Sequence, residues 1–226
     1  MDQVPDMSDS NNPQDHFPPE QAREQAASHA YLNFLKQHGA LPGQLEKRQI
    51  MLNALCMHLS GIEVSGQAYR EAVDNWLETV EKSKWPSCLA MVREYFPFWT
   101  QNVKEIARLA SEADGIDLEQ AQWQSLEGDF SVIWRQMEQT RLSQQEMTYL
   151  DNYRHALQMA YLDEKLVDTR VKLAKLLLVR LKNTSNRIPR VYRKAVDATV
   201  PVFQLKEMRW LFIEVVREFF YFWKQS

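Results

Sequence analysis

Two short sequences with helical patterns each occur twice in this chain and decide how it is organised. Residues 69–74 read YREAVD and recur at residues 192–197 as YRKAVD, with five of six positions identical. Residues 92–99 read VREYFPFW and recur at residues 216–223 as VREFFYFW, with six of eight identical. The offsets are 123 and 124 residues, and the two pairs keep the same order along the chain. This repetition predicts two related structural units.

A third, weaker match precedes the other two in each half. Three residues recur at an offset of 122, namely Arg48, Leu55 and Leu59 as Arg170, Leu177 and Leu181. In both copies the apolar residues recur at three- and four-residue spacing, which is typical of the buried face of a helix. We therefore expect an all-α protein of two related four-helix units, arising from an internal duplication and joined by a helical connector.

The composition along the chain predicts four segments. Residues 1–25 hold four prolines, six acidic residues and one basic residue, which predicts a disordered acidic tail because so few apolar groups cannot offset the entropy of ordering. Residues 26–101 form the first predicted unit, and residues 102–145 form the connector. Residues 146–226 form the second predicted unit, which is basic.

Potential helix caps mark the connector and the start of the second unit. Asp117 is a plausible N-cap for a helix whose apolar stripe extends to Met137. Ser143 begins a longer run of helical character, which we expect to be interrupted near Asp163. These patterns predict that the connector is helical.

The overall composition predicts a globular protein of the cytoplasm. Hydrophobic residues make up 45% of the chain and include seven tryptophans, enough to build a core. No apolar stretch is long enough to cross a membrane, and the first residues lack the features of a secretory signal. Cys56 and Cys88 lie in apolar helical patterns, so we expect buried thiols in a reducing compartment. The aromatic C-terminal segment has a mid-chain counterpart and is therefore expected to pack in the core, not on a membrane.

The last helix of the first unit carries the sequence LAMVREYFPFW at residues 89–99. Together with the order of helices in each unit, this pattern resembles the SAM-like, four-helix core-binding domain of tyrosine recombinases. The resemblance covers roughly residues 28–100 and, less fully, residues 146–224. It implies a DNA-contacting module. The recombinase Arg…His-x-x-Arg…Tyr arrangement has no counterpart here, so the resemblance implies DNA contact without strand cleavage.

The sequence carries no recognisable catalytic, nucleotide-binding or metal-binding motif. The five histidines form no His-Glu-x-x-His pattern, and the two cysteines are not in a Cys-x-x-Cys pair. Asp151 and His155 share one helical face, where we expect a surface ion pair. Glycine-rich phosphate loops and the Gly-x-Ser-x-Gly motif are also absent. We therefore expect a non-enzymatic protein with no cofactor.

Basic charge is concentrated in the second half of the chain. Residues 165–226 contain 14 basic and five acidic residues, a net charge of +9, whereas residues 1–164 have a net charge of −12. Four cations lie within residues 187–194, while the corresponding loop of the first unit, residues 60–68, has no basic residue. Arginines near a helix start can bind phosphate groups. The candidate nucleic-acid ligands are Arg180, Lys182, Arg187, Arg190, Arg193 and Lys194.

Two interpretations of this charge remain open from the sequence. In the first, the basic second unit contacts the phosphates of a nucleic acid, with DNA the first expectation. In the second, the protein is a helical adaptor or regulatory protein that docks an acidic protein partner. The same bases could also pair internally with the acidic connector or tail. The oligomeric state is left open by the sequence.

Overall fold

Helices joined by turns make up the described part of the protein, which confirms the all-α class. The computed structural model describes residues 19–111, 116, 125–160, 163–182, 184 and 188–224. The described residues contain no β-strand.

The first unit contains four helices whose ends follow local sequence signals. They are α1 (Pro19–Gln37), α2 (Pro42–Leu59), α3 (Gly66–Leu77) and α4 (Trp85–Trp99). Gly39 has a positive φ of 86° in the turn after α1, and proline is well tolerated in the first turn of α2. The Ser65 hydroxyl caps α3 by accepting a hydrogen bond from the Ala68 amide at 3.1 Å. Large buried side chains of this unit include Tyr31, Leu52, Leu55, Trp76, Tyr95 and Trp99.

The first helix begins earlier than the sequence predicted. We expected a disordered tail over residues 1–25, but α1 starts at Pro19, so that boundary is wrong for residues 19–25; residues 1–18 lie outside the described residues. Glu24 is buried, and Trp99 Nε1 lies 3.4 Å from its carboxylate as a hydrogen-bond donor. The Tyr95 hydroxyl also donates to the Glu24 carbonyl at 3.2 Å. These contacts join the start of α1 to α4, and composition alone does not reveal them.

The connector contains α5 (Val103–Ser111) and α6 (Phe130–Gln139). The predicted helix from Asp117 to Met137 is wrong over residues 125–129, which are not helical; residues 117–124 lie outside the described residues. Gly128 has a φ of 128°, which interrupts any helix. Asp129 then begins α6 by accepting the Ser131 amide at 2.7 Å.

The second unit contains α7 (Gln144–Met159), α8 (Glu164–Leu181), α9 (Pro189–Thr199) and α10 (Lys206–Lys224). The expected start at Ser143 and the expected interruption near Asp163 are both confirmed. The Ser143 hydroxyl accepts the Glu146 amide at 3.2 Å, and the Asp163 carboxylate accepts the Lys165 amide at 2.9 Å. Each polar side chain satisfies amides that a helix start leaves unpaired.

The shared tyrosine of the repeated hexapeptide makes the same hydrogen bond in both units. The Tyr69 hydroxyl donates to the Val92 carbonyl at 2.8 Å, and the Tyr192 hydroxyl donates to the Val216 carbonyl at 2.6 Å. Both tyrosines are buried, and burial raises the pKa of each phenol well above its ordinary value. In each unit, this hydrogen bond therefore joins the third helix to a backbone carbonyl of the fourth.

A buried carboxylate joins three helices of the first unit. Glu94 of α4 accepts a hydrogen bond from the Tyr31 hydroxyl of α1 at 2.6 Å and forms an ion pair with Arg48 of α2 at 3.4 Å. All three side chains are buried. Removing one charged member of such a group leaves the opposite charge uncompensated in a low-dielectric site, which is destabilising.

The second unit repeats this arrangement in a more exposed form. Glu218 of α10 accepts a hydrogen bond from the Tyr153 hydroxyl at 2.7 Å and pairs with Arg170 at 2.9 Å. Arg170 also pairs with Glu214 at 2.6 Å. The Glu218 side chain is 41% exposed, compared with 6% for the Glu94 side chain. Water therefore weakens the second group more than the first.

The two units interlock through the shared aspartate of the hexapeptide. Asp74 of α3 accepts a hydrogen bond from Trp210 of α10, and Arg209 Nε lies 3.7 Å from its carboxylate. Asp197 of α9 forms a two-pronged ion pair with Arg93 of α4. Both aspartates are buried. Each unit therefore supplies a carboxylate that the other unit neutralises.

The two cysteines are free thiols; the expected burial is confirmed for Cys88 and is wrong for Cys56. Cys88 is buried, and that burial raises the pKa of its thiol to about 11. Cys56 is half-buried, with its sulfur 3.3 Å from the Ser28 hydroxyl.

We expect Glu94→Ala to lower the free energy of unfolding by about 3–5 kcal/mol, because it leaves the buried Arg48 without its carboxylate. Glu218→Ala should cost less, on the order of 1 kcal/mol, because its side chain is partly solvated. Urea unfolding followed by circular dichroism measures both changes. Glu46→Ala, at an exposed position of α2, is the control. A Glu94→Ala protein as stable as the Glu46→Ala protein would contradict the role of this group.

Candidate functional site

A cleft of about 890 Å³ opens between α9 and α10, beside α4 and α5. This volume lies in the range of pockets that hold small organic ligands. The described lining combines five cations with one carboxylate and seven apolar or aromatic side chains. The cations are Arg93, Arg108, Arg193, Arg217 and Lys224; the carboxylate is Glu218; the others are Pro189, Tyr192, Val196, Ile213, Val216, Phe220 and Tyr221.

Two of the cations reach the cleft from outside the second unit. Arg93 of α4 is held by its ion pair with the buried Asp197 of α9. Arg108 of α5 pairs with Glu105, one helical turn earlier, at 2.8 Å. Both arginine side chains are almost half exposed where they line the cleft. The cleft is therefore assembled from both units and the connector.

Arg217 lies among like charges. The pKa of its guanidinium is lowered by burial and then by the nearby charges of Arg70 and Arg93. Within the described ranges, Arg217 has no carboxylate partner. Its side chain nevertheless keeps an exposed surface that lines the cleft. An anion bound beside Arg217 would offset this repulsion.

The carboxylate of the lining contributes little free negative charge. Glu218 is engaged by the Arg170 guanidinium at 2.9 Å and by the Tyr153 hydroxyl at 2.7 Å. Burial would lower the pKa of Arg170, but its bonds to Glu214, Tyr153 and Glu218 raise that pKa above the ordinary value. Arg93 and Arg108 are likewise paired, with Asp197 and Glu105, so the basic character of the cleft depends mainly on its other cations.

Aromatic rings form part of the cleft wall on α10. Tyr221 is 67% exposed, whereas the neighbouring Phe220 is half-buried. The two ring centroids lie 6.1 Å apart with the planes at 70°. Lys224 Nζ lies 5.8 Å from the centroid of the Phe220 ring, within the range of a cation–π contact. The site thus presents an accessible ring next to cations.

Among the residues predicted from the sequence, Arg193 lines the cleft. Arg190 and Lys194 lie on the same helix, α9, and are half-buried, but they are not part of the lining. Arg187 lies outside the described residues. The structure therefore places one predicted residue in this site.

The remaining predicted residues lie at the C-terminal end of α8, near the connector. Lys182 Nζ donates to the Arg141 carbonyl at 2.7 Å. Arg180 is half-buried, and burial lowers the pKa of its guanidinium. Earlier on α8, Lys172 pairs with Glu138 of α6 at 3.4 Å. Part of the basic charge of the second unit thus binds the connector, which is one of the interpretations that the sequence left open.

Sequence reasoning missed Arg93, Arg108, Arg217 and Lys224. Arg93 and Arg217 occupy the same position of the repeated VRE sequence, so they were interpreted as part of the shared fold. A helical signal was present, because Arg217, Phe220 and Lys224 follow one another at three- and four-residue spacing on one face of α10. Arg108 gave no such signal, because its position depends on how α5 packs.

Neither a known protein family, nor a curated protein, nor a solved structure is detectably similar to this chain. None of the helices in the described part of the chain is both long and apolar enough to cross a bilayer. Across the described ranges, no three His, Cys, Asp or Glu side chains are grouped to hold a metal ion. The function therefore has to be inferred from the cleft itself.

We expect Arg217→Met to raise the free energy of unfolding by about 0.5 kcal/mol at low salt, because it keeps the side-chain stem and removes a charge that Arg70 and Arg93 repel. The gain should shrink as salt screens these charges. Thermal unfolding at two salt concentrations measures it. Arg135→Met, at an exposed position of α6 outside the cleft, should leave stability unchanged. A loss of stability in Arg217→Met at low salt would contradict the repulsion.

Proposed function

We propose that this protein binds nucleic acid, with DNA as the first candidate, through the cleft between α9 and α10 and without catalysing a reaction. The observation that carries the proposal is the position of Arg217, which lines the cleft beside the like charges of Arg70 and Arg93. Burial and the charges of Arg70 and Arg93 disfavour the charged form of Arg217, and a bound anion would offset part of that cost. Groups held at a cost to stability are typical of binding sites.

The geometry of the cations suits phosphate groups. Four of the five cleft cations are arginines, and guanidinium groups bind phosphate oxygens in a two-pronged manner. They come from four helices, α4, α5, α9 and α10, instead of following one helix. Several phosphates along a strand could therefore be contacted together.

The lining favours binding over proton transfer. Glu218 is already bonded to Arg170 and Tyr153, and the Tyr192 hydroxyl donates to the Val216 carbonyl. Burial raises the pKa of Tyr192, which keeps that phenol protonated. These engaged groups support a binding site over a catalytic one.

An adaptor that docks an acidic protein segment is the second candidate. Seven apolar or aromatic side chains line the cleft, and apolar contact is common in peptide-binding grooves. Within the chain, Lys172 of the second unit already pairs with an acidic residue of the connector, Glu138, which supports this candidate. Competition between oligonucleotides and polyglutamate for the same cleft separates the two candidates.

We expect labelled oligonucleotides to bind at about 50 mM salt and to dissociate as salt rises, because phosphate neutralisation releases counterions. Replacing Arg217 and Lys224 together by alanine should make the slope of log affinity against log salt shallower by about 1.4–1.8, corresponding to two lost phosphate contacts. Fluorescence anisotropy over a salt series measures both effects.

The matched control replaces Lys47 and Arg135 by alanine, which removes two exposed cations on α2 and α6 outside the cleft. Its slope should equal that of the unaltered protein. Lys182→Ala tests the surface near the connector and should also have little effect. Absence of oligonucleotide binding at low salt, with polyglutamate bound instead, would replace the proposal by the adaptor function.

A further inference from the structure

We infer that the cleft takes a single strand of nucleic acid and seats one unpaired base against Tyr221. This inference rests on the proposed function and specifies the form of the ligand. Cleft cations such as Arg217 and Lys224 would hold phosphates, while the exposed ring of Tyr221 on the same helix would hold the base.

The exposure of Tyr221 is the first argument. Large aromatic side chains of α10 such as Phe212, Phe219 and Trp223 are buried in the core, whereas Tyr221 is 67% exposed and lines the cleft. An accessible ring beside cations matches the two parts of an unpaired nucleotide, a flat base and a charged phosphate.

The comparison between the units gives a second, independent argument. In the repeated sequence, Tyr221 occupies the position of Pro97, which is buried in α4. The flanking aromatic residues Phe220 and Trp223 match Phe96 and Trp99, and these pairs make equivalent ring contacts with Tyr192 and Tyr69. The second unit thus keeps the packing aromatics and differs at Tyr221, one of the positions that line the cleft.

The size and chemistry of the cleft favour a single strand over a duplex. A volume of about 890 Å³ accommodates a small organic group, whereas the bases of a duplex are paired and stacked on one another. A ring at the surface can stack on a base only after the base leaves its stack. A single strand offers its bases without this cost, so it makes use of both the cations and the ring.

The test compares one short labelled oligonucleotide as a single strand with the same sequence as a duplex. We expect tighter binding of the single strand, and we expect Tyr221→Ala to weaken it by about 5- to 100-fold, the range for loss of a stacking ring. Tyr221→Phe should retain binding, because the ring remains. Tyr221→Leu should lose it while keeping apolar volume.

Duplex binding by Tyr221→Ala should stay close to that of the unaltered protein, since phosphate contacts remain. The control is Leu205→Ala, which alters an exposed side chain just before α10 and outside the cleft. Circular dichroism checks that each variant is folded. An unlabelled mononucleotide serves as a competitor and should displace the strand poorly, because it brings one nucleotide to a site with several cations.

Four outcomes would overturn the inference. Equal or tighter binding of the duplex, or unchanged single-strand binding by both Tyr221→Ala and Tyr221→Leu, would overturn it and leave the proposed function standing. If the mononucleotide displaced the labelled strand at a concentration at which an unlabelled strand does so, a free nucleotide would be the ligand. Absence of binding by any oligonucleotide would overturn the inference and the proposed function together.

Discussion

The buried carboxylates of Asp74 and Asp197 fix how the two halves of this protein meet. Each is neutralised by the opposite unit, Asp74 by Trp210 and Arg209 and Asp197 by Arg93. A buried carboxylate without a partner is strongly destabilising, and separation of the units would remove the partners of both carboxylates. The ion pair of Asp197 also brings Arg93 to the cleft. The same contact therefore stabilises the architecture and builds part of the candidate site.

This packing also sets the surroundings of Arg217. Docking of the units brings Arg93 close to Arg217, and the pKa of Arg217 is lowered by burial, by Arg70 and by Arg93. Local repulsion of this kind is expected where a binding role outweighs stability. The exposed ring of Tyr221 departs from the burial pattern of the other α10 aromatics in the same place. The two departures lie together in one cleft, which is why we assign a function to it.

Helix starts with a side-chain cap were predictable because a cap acts over a few residues. Ser143 and Asp163 begin helices as expected, since each accepts hydrogen bonds from amides within three residues. The predicted helix from Asp117 was wrong over residues 125–129, where the positive φ of Gly128 breaks the pattern. The start of α1 at Pro19 was missed because it is held by contacts of Glu24 with Tyr95 and Trp99 of α4, a segment about 70 residues away in sequence.

The sequence by itself determined the all-α class, the repeated positions and the basic excess of the second half, because periodicity, identity and charge are local properties. It identified Arg193 as a candidate nucleic-acid ligand, and this residue lines the cleft. Tertiary structure alone decided that Arg93 and Arg108 join it, while Lys182 contacts the connector. The physical reason is that helical periodicity fixes the face on which a side chain lies. Which other face it meets depends on packing between helices distant in sequence.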